Sequence, residues 1–147
     1  MNNVHVGVND HIDYAFCPPT SGSHFNAAGV PAPLPHAFYG PDKDYKPGNW
    51  IHNMEHGGVV ILYKGTPTQD ILDSMKSVVD SAPGGSKPAC LPNQVIGVRF
   101  DDMTSPFAVV AWDRAMLLDA WNSDQALTFI QQWQDGPQIP EKNPATC

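Results

Sequence analysis

Basic residues are scarce in this chain of 147 residues: eight Lys and Arg stand against fifteen Asp and Glu, for a net charge of -7. Eight scattered cations build no basic face, which excludes a nucleic-acid binder. Long apolar runs are missing as well. A membrane span takes about 20 consecutive apolar residues, and no run here, Val59–Tyr63 and Phe107–Trp112 included, approaches that. The start, Met1-Asn2-Asn3-Val4-His5, is polar and does not read as a signal peptide, so a targeting segment is expected outside this sequence if the natural protein is exported. The three cysteines form no C-x-x-C pair, which excludes a zinc knuckle or a thioredoxin-type centre. There is no G-x-S-x-G elbow and no phosphate-binding glycine loop. Glutamate is almost absent: Glu55 and Glu141 are the only two, against thirteen Asp. A chain that nearly avoids Glu yet sets one between two histidines invites a local explanation.

What is present divides at about residue 57. The first part carries all six histidines and many prolines, with Pro18-Pro19 and the alternating Pro31, Pro33 and Pro35 forcing extended or turn backbone. Its aromatics, among them Phe16, Phe25, Phe38, Tyr39, Tyr45 and Trp50, argue for docking onto a core. The second part reads as α+β. Val59–Tyr63, Gln94–Phe100 and Phe107–Trp112 have strand character, and Met116–Trp121 is ambiguous between strand and helix. Helical spacing predicts helices over about 68–81 and 123–134, opened by Thr68 and by Ser123 or Asp124. The expected architecture is one domain over 1–147. A loop-rich histidine segment, 1–57, wraps a 58–141 core with a small, mainly antiparallel sheet and two helices.

The sharpest chemical feature is His52-Asn53-Met54-Glu55-His56-Gly57-Gly58. On a helix this would be the H-x-x-E-H spacing of inverted zincins. Pro47-Gly48 upstream and Gly57-Gly58 downstream leave no room for a long helix, so an extended chain is expected. His52, Met54 and His56 would then share one face, and Glu55 would point the other way. Imidazole suits zinc, copper, iron or nickel, and a thioether shifts the choice towards copper(I). His24 is the expected third ligand because a stiff Pro18–Ser23 turn aims it. His5, His11 and His36, and Met54 as a thioether, are weaker candidates. Glu55 could be a ligand, an acceptor for an imidazole N–H, or a catalytic base. A pair of hydrogen-bonded loop histidines is the plain alternative.

Two blocks, Cys17-Pro18-Pro19-Thr20-Ser21-Gly22-Ser23-His24 and His52-Asn53-Met54-Glu55-His56-Gly57-Gly58-Val59-Val60, resemble the signature of the domain-of-unknown-function 3105 family, roughly P-P-T-S-G-x-H followed by H-N-x-E-H-G-x-V. Ala111-Trp112 and Phe129-Ile130 resemble its later segments. His24, His52, Glu55 and His56 fall on motif positions, and Met54 on an open one. The resemblance implies an exported or membrane-anchored protein, a location that the acidic composition and low Lys content fit. A disulfide is then allowed, with Cys17–Cys90 the expected pair.

Three functions follow as expectations. The first is an extracytoplasmic metal-binding protein using His24, His52 and His56, with copper ahead of zinc, handing its ion to an accepting protein. The second is a metal-dependent enzyme, hydrolytic or oxidative, acting on a small molecule with Glu55 as acid or base. The third is a non-catalytic interaction domain.

Overall fold

A computed structural model describes residues 4–27, 29–82 and 95–141. Its centre is a four-stranded mixed sheet in the order β4-β3-β5-β6, built from β3 (Val59–Tyr63), β4 (Val95–Arg99), β5 (Phe107–Ala111) and β6 (Arg114–Leu118). β3 runs parallel to β4 and antiparallel to β5, and β5 and β6 form an antiparallel hairpin. The protein is α+β as expected, and of the ambiguous Met116–Trp121 the residues up to Leu118 belong to an edge strand.

Alternation along the strands supplies two cores. Val59, Ile61, Tyr63 and Val109 face α2 (Gln69–Ser81) and α3 (Ser123–Trp133), where Met75, Val79 and Ile130 close the layer. Val60, Leu62, Ile96 and Val110 face the other way, onto Trp50, Ile51 and Met54. Because both faces of β3 are covered, all five of its residues are buried, as a continuous apolar run implies.

The covering element on the second face corrects the sequence reading. Residues Pro47–Glu55 form a helix, α1, where extended chain was expected. The residues taken as breakers are its caps. Pro47 sits at the first helical position, where its missing N–H costs nothing and its φ is already set. Asn49 Oδ1 accepts the Lys46 N–H at 2.9 Å, satisfying the backbone donor of the N-cap residue. Gly57, at φ 99°, ends the helix, its N–H donating to Met54 O at 3.1 Å, while the Gly58 N–H donates to Asn53 O at 2.8 Å.

The first part of the chain is also less irregular than expected. β1 (His5–Val6) and β2 (His24–Phe25) pair in parallel, with His5 opposite His24. β2 then lies along α1. The Asn53 side chain fastens the proline-rich loop to the same helix, donating to Leu34 O at 2.8 Å and accepting the Leu34 N–H at 2.9 Å. Cys17 is exposed, its Sγ 3.4 Å from Asp102 O. Cys90 and Cys147, and with Cys90 the expected Cys17–Cys90 pairing, lie outside the described residues.

Candidate metal centre

α1 places the chemistry. A helix advances about 100° per residue, so His52, Glu55 and His56 share one side while Met54 falls on the opposite one. Met54 is accordingly fully buried in the core beneath the helix. The expected grouping of His52, Met54 and His56 with Glu55 turned away is therefore reversed: Glu55 joins the histidines and Met54 leaves them.

His24 reaches the same place from β2. The turn before it is held by the Asp113 N–H donating to Thr20 O at 3.0 Å, by Tyr14 Oη donating to Ser23 O at 2.9 Å, and by Gly22 at φ 125°. The β1–β2 pairing then sets His5 beside it. The rings of His5, His24 and His52 lie with centroids 4.7 to 5.3 Å apart, and His56 stacks on His52 at 5.2 Å.

Everything converges on one oxygen. Glu55 Oε2 is 2.9 Å from His24 Nε2, 3.8 Å from His5 Nε2, 3.9 Å from His52 Nε2 and 3.8 Å from His56 Nε2. Glu55 is 1% exposed and His24 is fully buried, whereas His5 is about half exposed, so the cluster has a buried floor and an open rim. Two donor groups fit a metal ion. His5, His24, His52 and Glu55 form one, and Glu55, His56 and Glu141 the other, with the ligand atoms of each within 4.8 Å of one another.

The far sides of the rings are committed. His24 Nδ1–H donates to Gly22 O at 3.0 Å and His52 Nδ1–H to Phe25 O at 2.9 Å. A carbonyl can only accept, so each of these nitrogens carries a proton, and a neutral ring presents a bare Nε2 lone pair to the cluster. His5 Nδ1 meets the Asn26 amide at 3.2 Å. His24 Nε2 faces the Glu55 carboxylate at ion-pair distance.

Burial pushes the His52 imidazole down to about 4, helped by its histidine neighbours, and burial also lowers His56. For His24 burial acts in the same direction, but the Glu55 carboxylate and the Gly22 carbonyl outweigh it and hold the ring above its usual value. Glu55 thus raises the imidazole it lies nearest, while burial lowers His52 and His56 on the same side of the helix.

Of the expected ligands, His24 and His52 stand in the first group and His56 in the second. His5 is drawn into the first group by a strand pairing that no local motif announces. His11 is on the surface beside Asp13, and His36 bonds Val95 O at 2.6 Å, so both serve their loops. Glu141 was not singled out as a ligand, although its rarity was the available signal. A cleft of about 550 Å3 is walled by other residues, among them Tyr14, Phe16, Phe25 and Phe100.

The two motif blocks meet in this cluster, and the whole-chain comparison agrees with them. The chain belongs to the DUF3105 family, described as a protein of unknown function, whose family model matches residues 5–147. No curated protein and no solved structure matches it.

Proposed function

We propose that this member of the DUF3105 family binds a divalent transition-metal ion through His5, His24, His52 and Glu55, and handles it outside the cytoplasm. The observation that carries the reading is the pair His24 Nε2 and Glu55 Oε2. They lie 2.9 Å apart in the interior, His24 donates its other nitrogen to a carbonyl, and the Nε2 atoms of His5 and His52 stand 3.8 and 3.9 Å from the same oxygen. An ion bound at about 2.0–2.2 Å from nitrogen and oxygen ligands separates those ligands by roughly the distances found here. A lone imidazolium–carboxylate pair would not gather further imidazoles round the same oxygen.

Three nitrogens and one carboxylate oxygen suit zinc or copper(II), and the general order of affinities favours copper(II). With Met54 in the core, the thioether argument for copper(I) falls away. Handling is preferred to hydrolysis or oxidation because the substrate-sized cleft is lined by residues outside the cluster. The open rim at His5 suits exchange with an accepting protein. An extracytoplasmic location is supported by the acidic composition and the family resemblance, and cell fractionation tests it.

Tag-free protein titrated with copper(II) and zinc against a competing chelator tests the site. The expected result is tight uptake that His24→Ala and His52→Ala abolish. Absence of uptake at micromolar metal would sink the proposal.

A further inference from the structure

We infer that Glu55 is shared between two cation positions, the second completed by His56 and Glu141. This rests on the reading of the first position given above. The two donor groups have one member in common, Glu55. His56 Nε2 lies 3.8 Å from Glu55 Oε2 and 4.0 Å from Glu141 Oε2. Both groups meet Glu55 at Oε2, a carboxylate oxygen can bridge two ions, and paired ions sharing ligands typically stand about 3.5–4 Å apart.

Glu141 reaches this place because its segment is fastened there. Its N–H donates to Glu55 O at 3.3 Å, the Asp135 N–H donates to Gly57 O at 3.0 Å, and Ile139 packs on the core beneath α1. Gly57 has no room for a side chain against this segment: a Cβ there would stand 2.7 Å from Asp135 Oδ1. The chain has only two glutamates, and the fold brings both to four of its six histidines.

The positions differ in character. The first is nitrogen-rich and has the buried floor of His24 and Glu55. The second has one imidazole and two carboxylates, and Glu141 is half exposed, so it is harder and open to water. Repulsion from the inner ion weakens it further. It is therefore the exchangeable position, through which an ion enters and leaves the inner one.

Metal-stripped, tag-free protein titrated with zinc, followed by calorimetry and native mass spectrometry, decides the matter. Wild type is expected to bind one equivalent tightly and a second more weakly. Glu141→Ala and His56→Ala should retain the tight equivalent and lose the weak one. The half-exposed Glu141 makes its variant the safer folding control, checked by an unchanged melting curve. If Glu141→Ala still binds both, or if wild type stops at one equivalent that His24→Ala abolishes, the second position is overturned and the first stands. If wild type binds none, the first reading fails and takes this one with it. Sharing is read separately with copper(II): at full loading the electron paramagnetic signal should integrate to well below the copper content through coupling across the bridge. Full intensity at that loading would overturn the shared carboxylate.

Discussion

The ring of Phe25 lies directly on Gly48. A Cβ built on Gly48 would stand 2.5 Å from the ring, so the Phe25 side chain of β2 packs straight onto the backbone of α1. The contact sets the spacing of the cluster, because β2 carries His24 and the Phe25 carbonyl accepts from His52. Gly48→Ala should force the strand outward. The overpacking is expected to destabilise the fold by about 1–3 kcal/mol, less any gain in helix propensity, and to weaken metal binding. Thermal unfolding with and without zinc measures both, and an unchanged metal affinity would show that the spacing is not critical.

Asn53 tests the proline-rich loop. Its side chain is fully buried and satisfies both backbone groups of Leu34. Asn53→Ala leaves a buried N–H and a buried C=O without that partner, at about 1–3 kcal/mol for each group. Asn53→Asp keeps the acceptor, loses the donor and adds a buried charge, so it should be no better. Denaturant midpoints for both variants, against Asn49→Ala at the helix start, check the ranking.

That loop also shows why part of the fold was legible and part was not. Val59–Tyr63 and Phe107–Ala111 declare themselves because a buried strand needs an unbroken apolar run. α2 is announced by Thr68 and the spacing of Leu72, Met75 and Val79. α1 was misread because Pro47 and Gly57 are breakers inside a helix and caps at its ends, and only the length between them tells which. Once that segment is read as extended, Glu55 is turned away from the cluster and Met54 into it. His5 could not be placed at all, since it arrives by a two-residue pairing with a strand nineteen positions on. The two histidine blocks, by contrast, were legible as chemistry before their geometry was known.

The pH dependence follows from the shifted imidazoles. His52, lowered to about 4, and His56, also lowered, are neutral in the folded protein, while the unfolded chain takes up protons below about 6.5. Their contribution to stability is present above the unfolded value and is lost as pH falls towards 4. His24 has the opposite sign: its raised value contributes stability below about 6.5 that is lost as pH rises through the folded value. Metal-free protein should therefore weaken in acid, with the slope reduced in His52→Gln. Metal binding should release more protons from His24, whose value is raised, than from His52. Calorimetry of the wild type in buffers of different ionisation enthalpy counts them, and proton release that does not fall as pH rises from about 6 to about 8 would contradict the assignment.

Glu55→Gln separates a metal site from a set of histidines that merely organise loops. A carboxylate at 1% exposure is costly to desolvate, and the cost is offset by hydrogen bonds and by a neighbouring cation. If that cation is a metal ion, the metal-free protein carries the carboxylate at a disadvantage, softened by the neighbouring His24 imidazole. Gln keeps the size and removes the charge. The variant should then unfold at an equal or higher denaturant concentration than wild type when both are stripped of metal. Its His24 should also titrate lower, since the carboxylate that raises it is gone. Tight metal uptake should fall away at the same time, because a neutral amide oxygen is a poor substitute for a carboxylate in this donor set. An interaction domain held together by an imidazolium–carboxylate pair gives the opposite result. There, Glu55→Gln would break the pair and lower stability, with no metal affinity to lose. Unfolding curves of stripped and zinc-loaded protein, wild type beside Glu55→Gln, separate the two outcomes, and a destabilised variant with unchanged zinc response would count against the metal centre.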